Sequence, residues 1–326
     1  MVRASVELFL NFNEVVGPEY DLGVRQQGYL WLTTDAGCVE RQRSIVEAQH
    51  SWGQTDVELL PGDEVRRRFP YVGSNVLQAR FRQDDGFLDP KQLTMGLAAA
   101  SGAQVLVGCG VTGFRIEGGR LTGVETERGL IQTEAVVVAA GPLSGPLAAR
   151  AGVELPVHTV LRQKVILPVA PEVPPHAPMT IDEDTGAHWR PALQGAYLLF
   201  TDPATPASPP TDDVHLEPEF AFRLLDPASP SAVARVAPFW AGVWERGAVN
   251  WLLQGGQYTM SPDHRPLIGP TDVEGLWVNT GYSGHGIMGG PAGGRILADL
   301  LTGRTQRDAN PFRLDRPFIE RERDVL

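Results

Sequence analysis

The sequence predicts an α/β fold into which a second, mostly antiparallel region is inserted. Residues 135–141 form an uninterrupted apolar run, which is typical of a central parallel strand covered by helices on both faces. A second short strand, 276–279, leads through a glycine-rich segment into an apolar helix that ends at Gly303. Residues 156–260 are rich in proline, and their aromatic and β-branched runs alternate with polar turns, which favours antiparallel strands.

The first hundred residues contain local signals for helices and a strand. Apolar residues spaced by three and four predict a helix from the start of the chain, ended by Gly17-Pro18. Residues 28–32 form an aromatic run that favours a strand. Asp89-Pro90 predicts a helix start, because aspartate caps free N–H groups and proline fits the first helical position, and Gly102 ends that helix.

The next segment favours strands and hairpins. Residues 105–107 are predicted to be extended, and hairpins are expected to turn at Gly118-Gly119 and at Arg128-Gly129. Residues 108–113 match G-x-G-x-x-G, a pattern that binds a pyrophosphate only when it opens a helix. Here a strand-like sequence follows, so we interpret 108–113 as a plain turn.

Composition excludes several classes of function. The formal net charge is −11 and no basic run offsets it, so neither nucleic acid nor an anionic membrane is expected as a partner. No apolar stretch approaches the roughly 20 residues that cross a bilayer, and the N-terminus does not resemble a signal peptide. The two cysteines, Cys38 and Cys109, support neither a disulfide framework nor a metal site, which fits a cytoplasmic protein.

The glycine-rich segment 281–294 is the strongest candidate for a ligand site. It lies between a predicted strand and a predicted helix, where open α/β sheets bind ligands. Small residues let a planar ligand approach the backbone, and a helix N-terminus stabilises negative charge. A purely structural turn is the alternative, but it would not need so many glycines together with Ser283 and His285.

In combination, these motifs resemble the family of D-amino-acid, glycine and sarcosine oxidases and dehydrogenases. The resemblance covers nearly the whole chain and is strongest over 258–303, where an S-x-D-x-x-P-x-I-G segment precedes a strand, G-x-S-G-H-G and a helix. Asp85–Pro90, the end of the 135–141 run and the closing Asn310–Phe312 also match, the last resembling sarcosine oxidase β-type subunits.

The resemblance implies an FAD-dependent oxidoreductase that takes a hydride from the carbon next to an amine. It implies that His285, Tyr258 and Arg190 are the catalytic candidates, with Tyr258 and Arg190 facing the substrate. It also implies that the start of the last long helix points its positive end at the edge of the flavin ring where negative charge develops on reduction. The cofactor-binding residues that it implies are Val111, Ala140, Gly141, Gly281, Tyr282, Ser283, Gly284, His285, Gly286, Ile287 and Met288.

The same resemblance implies a division into two domains. A Rossmann-like FAD-binding domain would comprise 1–24, 88–155 and 266–326. It would be interleaved with a mostly antiparallel α+β substrate domain comprising 25–87 and 156–265.

Three departures from the family pattern bear on function. The family's opening strand, G-x-G-x-x-G, helix and second strand, about fifty residues, are not found in this sequence, so we expect a truncated FAD-binding domain of marginal stability. Gly256 stands where some sarcosine oxidases have a flavin-linking cysteine, so FAD is expected to be non-covalent. Met288 stands where those enzymes have a carboxylate-binding lysine, which argues against sarcosine itself.

Three functional hypotheses remain open from the sequence. The chain is a flavoenzyme whose start lies further upstream, or a short subunit that a partner completes, or a non-catalytic protein without flavin. The expected substrate is a small amine or amino acid, and assembly into a homo- or hetero-oligomer is left open.

Overall fold

The computed structural model describes residues 1–17, 19–202, 204–247 and 250–319. The strands are β1 (Tyr29–Thr33), β2 (Glu58–Pro61), β3 (Gln78–Arg82), β4 (Val111–Glu117), β5 (Arg120–Thr126), β6 (Gly129–Gln132), β7 (Val136–Val138), β8 (His158–Leu167), β9 (Met179–Asp182), β10 (Ala187–Ala192), β11 (Gly195–Phe200), β12 (Ala207–Ser208), β13 (Leu252–Met260), β14 (Leu267–Pro270) and β15 (Leu276–Thr280). The α-helices are α1 (Val2–Leu10), α2 (Phe12–Val16), α3 (Ala36–Ser51), α4 (Gly62–Arg68), α5 (Pro90–Ala100), α6 (Ser144–Ala149), α7 (Glu219–Leu225), α8 (Phe239–Glu245) and α9 (Gly286–Leu301). Short 3₁₀ turns lie at Gly141–Leu143, Val233–Arg235 and Arg307–Ala309.

The largest sheet is almost entirely antiparallel. Its strand order is β12, β8, β11, β10, β9, β1, β3, β2. Strand β13 lies outside this order and pairs along the length of β8. Only β1 and β9 run parallel; the remaining neighbours are antiparallel. The predicted mixture of an α/β fold with a mostly antiparallel region is therefore confirmed.

One face of this large sheet is buried beneath α7 and α8. Val165 and Leu198 on the sheet pack with Leu224 of α7 and Trp240 of α8, and all four are fully buried. Because side chains alternate along a strand, the residues between these buried ones point to the opposite side of the sheet. We call that opposite side the front face.

Two small sheets complete the fold. In one, β14 pairs antiparallel with β15 and β15 pairs parallel with β7. Leu297 and Leu300 of α9 pack against Ile268 of β14. The other sheet consists of β4, β5 and β6, whose connections turn at Gly118-Gly119 and Arg128-Gly129 as predicted. Strand β4 begins inside the G-x-G-x-x-G pattern, at Val111, so the pattern leads into a strand as expected and does not open a helix.

Two strand predictions were wrong. Residues 135–141 were expected to form a central strand, but β7 pairs only with β15 in the described part of the chain. The Val137 side chain is 37% exposed there, because no further strand or helix covers it. Residues 105–107 form no strand, and their three apolar side chains are 49–77% exposed. Local apolar character favours an extended backbone, but a strand forms only where another segment pairs with it.

The two predicted helix starts are found. The chain begins in helical structure, although Asn11 divides it into α1 and α2. Gly17 ends α2 with φ of 139°, while Pro18 lies outside the described residues. The Asp89 carboxylate caps α5 by accepting a hydrogen bond of 2.8 Å from the Lys91 N–H.

The strands divide by sequence position between the sheets. Those of the large sheet lie within 25–87 and 156–265, and those of the small sheets lie within 88–155 and 266–326. The division into two domains stays a prediction.

Cysteine pairing and helix length complete the description of the fold. Cys38 and Cys109 are both free thiols. Within the described ranges, no helix has both the length and the apolar character needed to pass through a membrane.

Candidate functional site

A strained glycine-rich turn connects β15 to α9. Three residues of this turn, which spans 281–285, have a left-handed backbone: φ is 74° at Gly281, 50° at Ser283 and 89° at Gly284. Glycine adopts this conformation freely, but for serine it carries a cost that the surroundings must offset. We call residues 281–285 the glycine turn.

Hydrogen bonds to the end of β13 hold Ser283 in this conformation. The Ser283 N–H donates to the Thr259 carbonyl at 3.0 Å, and the Ser261 N–H donates to Ser283 Oγ at 3.0 Å. Ser283 is almost fully buried, so losing either bond would leave a polar group unsatisfied. The glycine turn is therefore fastened to the large sheet.

The N-terminus of α9 is bare backbone. Its first residue is Gly286, and the cap residue, His285, does not cap the helix with its side chain. A methyl group at Gly286 would meet only Tyr282 Cβ, at 3.9 Å, so the space beside this backbone is open. Ile287 is 39% exposed and Met288 is half-buried. The uncapped N–H groups of the first turn and the helix dipole make this end suitable for negative charge.

The Tyr282 side chain packs along the side of α9 that carries Gly286, because residues 286, 289 and 293 share one face of the helix. Its ring fills the space beside Gly289 and Gly293, where a methyl group would collide with it. Its hydroxyl donates to Asn279 Oδ1 at 2.6 Å, and burial raises its pKa to about 12. The side chain of this predicted cofactor residue therefore stabilises the packing of the glycine turn against α9.

Ala140 and Gly141 lie at the same edge of the small sheet as the glycine turn. They follow β7, which runs parallel to β15, so the carboxyl ends of the two strands are adjacent. The Thr280 hydroxyl donates to the Gly141 carbonyl at 3.5 Å, and Gly141 has a left-handed φ of 53° with open space beside it.

Val111 belongs to a separate sheet, where it begins β4 and is 39% exposed. The Arg150 guanidinium, just after α6, donates to the neighbouring Thr112 carbonyl. This bond ties the start of β4 to the helix that follows Gly141.

Tyr258 joins the glycine turn to the front face. It lies on β13, and its ring edge occupies the space beside Gly284, where an added Cβ would be 2.8 Å from Cε2. Burial raises the pKa of its phenol, although the Arg162 guanidinium, 6.0 Å from the ring centroid, opposes this shift.

Arg190 lies further along the front face, on β10. Its guanidinium is between two rings, 4.5 Å from the Phe87 centroid and 4.7 Å from the Tyr197 centroid. It donates a hydrogen bond to the Pro191 carbonyl, at 3.2 Å. Burial lowers its pKa, and no carboxylate among the described residues forms an ion pair with it.

Three further front-face residues were missed by the sequence analysis. Register aligns Arg190 with Tyr197 across β10 and β11, and Lys164 and Arg162 point to the same side from β8. Lys164 Nζ is 4.4 Å from the Tyr197 centroid. The alternation of polar and buried residues in β8 marks these side chains as belonging to one face, but it does not identify the strands beside them.

Tyr29 of β1 was also missed. Burial raises the pKa of its phenol, and the charges of Asp85, Arg190 and Tyr258 act on it as well. Electrostatic coupling to both Arg190 and Tyr258 places Tyr29 near the two predicted substrate residues.

Comparison with known protein families shows which family the chain belongs to. The sequence profile of the family described as FAD dependent oxidoreductase (DAO) matches residues 1–300. The chain belongs to this family of FAD-dependent oxidoreductases. The family membership and the FAD cofactor predicted from the sequence are thereby confirmed.

Relatives of this chain include proteins named for amine and amino-acid substrates. It is 31% identical over 243 residues to the D-amino acid dehydrogenase of Cereibacter sphaeroides, an alignment that covers 69% of this chain and 50% of that relative. It is 27% identical over 327 residues to the sarcosine oxidase subunit beta of Rhizobium meliloti, covering 92% and 74%. The chain thus spans half the length of the first relative.

The fold agrees with a solved structure. The L-proline dehydrogenase of P. horikoshii superposes with a TM-score of 0.78 at 27% identity, covering 94% of this chain and 79% of that one.

The residues of the glycine turn fit a flavin. Open space beside the backbone at Gly286 and Gly141 is what a planar ring and a phosphate chain require, since any side chain there would occupy it. The bare N-terminus of α9 suits the negative charge that a flavin acquires on reduction. Gly256 lies on β13, and non-covalent binding of FAD stays a prediction.

Proposed function

We propose that this protein is an FAD-dependent oxidoreductase that oxidises the C–N bond of an amino acid or an N-methylated amine. The observation that carries the proposal is the contact between Tyr258 and Gly284, which joins the glycine turn to a face where Arg190 forms no ion pair with any described carboxylate. The names of the relatives, D-amino acid dehydrogenase, sarcosine oxidase and L-proline dehydrogenase, support a substrate with an amine and a carboxylate.

In the proposed reaction, the carbon next to the amine nitrogen loses a hydride, for which FAD, when bound, would supply the acceptor. The nitrogen loses a proton to solvent, the C–N bond becomes C=N, and water later hydrolyses the imine. Arg190 binds the substrate carboxylate, because a guanidinium donates two parallel hydrogen bonds to such a group. The α9 N-terminus stabilises the negative charge that develops beside it.

The front-face tyrosines orient the substrate in this proposal. Burial raises the pKa of both Tyr29 and Tyr258, so both phenols stay neutral near pH 7 and act as hydrogen-bond donors instead of bases. His285, at the start of α9, stays a candidate catalytic residue. Val111, Ala140 and Gly141 are proposed to bind the adenine and ribose–phosphate portion of FAD.

Two glycine substitutions in the same helix test the flavin site. Gly286→Ala and Gly294→Ala both add a methyl group to open space in α9, so neither should destabilise the free protein. Only Gly286 borders the glycine turn. We expect Gly286→Ala to weaken FAD binding at least tenfold and Gly294→Ala to leave it unchanged, as measured by titrating purified protein with FAD and following flavin fluorescence. Equal FAD affinities in the two variants would remove the glycine turn as the flavin site.

A second candidate function is that of a subunit that needs another polypeptide to hold FAD. The observation that favours it is the free edge of β7, where Val137 is exposed and no second neighbour is present among the described strands. Failure of the purified protein to bind FAD, followed by binding once a partner is added, would select this alternative. Cytoplasmic location and oligomer formation stay predictions.

A further inference from the structure

Three basic side chains on the front face have no acidic partner. Arg162, Lys164 and Arg190 are partly buried, and in the described part of the chain no carboxylate forms an ion pair with any of them. This is unexpected in a chain with 39 acidic and 28 basic residues, where carboxylates are abundant. Buried or half-buried charges are ordinarily paired, so a missing partner indicates where a ligand supplies it.

The geometry brings these cations together. Lys164 Nζ and the Arg190 guanidinium lie 4.4 Å and 4.7 Å from the centroid of the same Tyr197 ring, so they are no more than about 9 Å apart. Arg162 is two residues from Lys164 on β8 and therefore points to the same face. It also carries a buried Nε with no hydrogen-bond partner.

Burial disfavours the positive charge of each of these three side chains. Burial lowers the pKa of all three groups, and repulsion by Arg190 lowers that of Lys164 further. The charge of Asp89 opposes this at Lys164 and Arg190, and the charge of Asp202 opposes it at Arg162, but an Asp89 oxygen already caps α5 and Asp202 is paired with Arg223. A single carboxylate on Arg190 would leave Lys164 and Arg162 unneutralised.

We infer that the substrate carries two anionic groups: an α-carboxylate that binds Arg190 and a second acidic group that binds Lys164 and Arg162. The substrate class is therefore a dicarboxylic amino acid or a dicarboxylic secondary amine. This inference rests on the proposed function and narrows its substrate.

Binding of unreactive acids tests the inference without turnover. Glutarate and valerate have the same number of carbons but differ in one carboxylate. With FAD in excess and at fixed ionic strength, calorimetric titration should show glutarate binding at least about tenfold more tightly. Lys164→Met should remove this preference without changing FAD affinity. Equal binding of the two acids, or a loss of FAD affinity in Lys164→Met, would overturn the inference.

Lys91→Met is the matched control, because Lys91 is the only other lysine of the chain and is exposed on α5. It removes the same charge near the site without touching the Tyr197 ring, and solvent screens it. We expect it to preserve the preference for glutarate. If both lysine variants lost the preference for glutarate to the same extent, the preference would reflect the overall positive charge of the region. That result would overturn the inference of a specific site for a second carboxylate.

Anaerobic reduction of FAD separates this inference from the proposed function. Racemic glutamate and iminodiacetate should reduce the flavin at lower concentration than racemic norvaline, which is a five-carbon amino acid with one carboxylate. Preference for norvaline would overturn the inference and leave amine oxidation intact. Tight glutarate binding with no reduction by any of these amines would support the dianion site and reject the proposed oxidation.

Discussion

Lys164 is a lysine whose surroundings disfavour its positive charge. Partial burial lowers its pKa most, Arg190 and Lys91 repel it, and Asp89 attracts it more weakly. Its contact with the Tyr197 ring compensates in part, because the face of an aromatic ring attracts a cation. A bound anion would restore the charged form.

This lowered pKa predicts the pH dependence of anion binding. Lys164 binds an acid only when protonated, so its contribution is complete below its lowered pKa. That contribution is lost as the pH rises through this pKa, which is below the ordinary value of 10.5. Measured dissociation constants for glutarate should rise with pH in that range in the wild type, and Lys164→Arg should delay the rise to higher pH. The same rise in Lys164→Met would contradict the assignment to Lys164.

Among the elements, the C-terminal segment holds the loop that precedes β14. Arg316 forms a buried ion pair with Asp263, with an N–O distance of 2.8 Å and exposed side-chain fractions of 5% and 1%. Arg316 also donates to the Arg265 carbonyl, which accepts the Ser261 hydroxyl at 2.7 Å. Since Ser261 bonds to Ser283, the segment supports the glycine turn through this chain of contacts.

Removing one partner of this pair should destabilise the protein strongly. Asp263→Asn leaves the buried Arg316 charge without a counterion, which costs about 3–5 kcal/mol in the free energy of unfolding. Urea unfolding measures this cost. Arg304→Met breaks the exposed pair with Asp299 and should cost no more than about 1 kcal/mol.

The same pair contributes to acid stability. Burial opposes ionisation of Asp263, but the hydrogen bond and charge of Arg316 together with hydrogen bonds from backbone N–H groups outweigh it, so the net pKa is below the ordinary 3.8. Stability from this carboxylate is therefore complete above pH 3.8 and is lost as the pH falls through the lowered pKa. A double variant, Asp263→Asn with Arg316→Met, should cost less than the two single variants combined; strict additivity would exclude coupling.

At the scale of the whole molecule, the glycine turn, the end of β7 and the start of β4 belong to different segments. The turn and Gly141 lie at one sheet edge, and Arg150 connects this region to β4. A dinucleotide that touches all three segments would stabilise them together. Exposed apolar side chains at 105–107 and at Val137 indicate that the free protein gains little from packing in this region.

FAD should therefore raise the melting temperature more than riboflavin does. Ligand that binds only the folded state stabilises it by about 2.7 kcal/mol at a hundredfold excess over the dissociation constant. Riboflavin shares the ring but lacks the adenylate, so it should fill the glycine turn without joining the other segments. Differential scanning fluorimetry at equal ligand concentrations measures the difference, and equal shifts would reject a role for Val111, Ala140 and Gly141.

Local features were predictable from the sequence because contiguous residues encode them. The Asp89 cap, the two hairpins, the strand before the last helix and the glycine turn depend on neighbours only a few positions away. The combination of motifs over 258–303 also identified the family, because the order of these motifs can be read directly from the sequence. The candidate turn was found in this way, although the packing of Tyr282 against α9 was not.

What the sequence by itself determined is the fold class and the family, and it also identified the candidate backbone site at the start of α9. The tertiary structure alone decided that β7 lies at an edge and that Arg162, Lys164 and Arg190 share one face. The physical reason is that strand pairing joins segments distant in sequence, and a shift of one residue in register would turn these side chains to the other side. The group of positive charges that we propose to select the substrate therefore depends on how several strands pair, and no single strand encodes it.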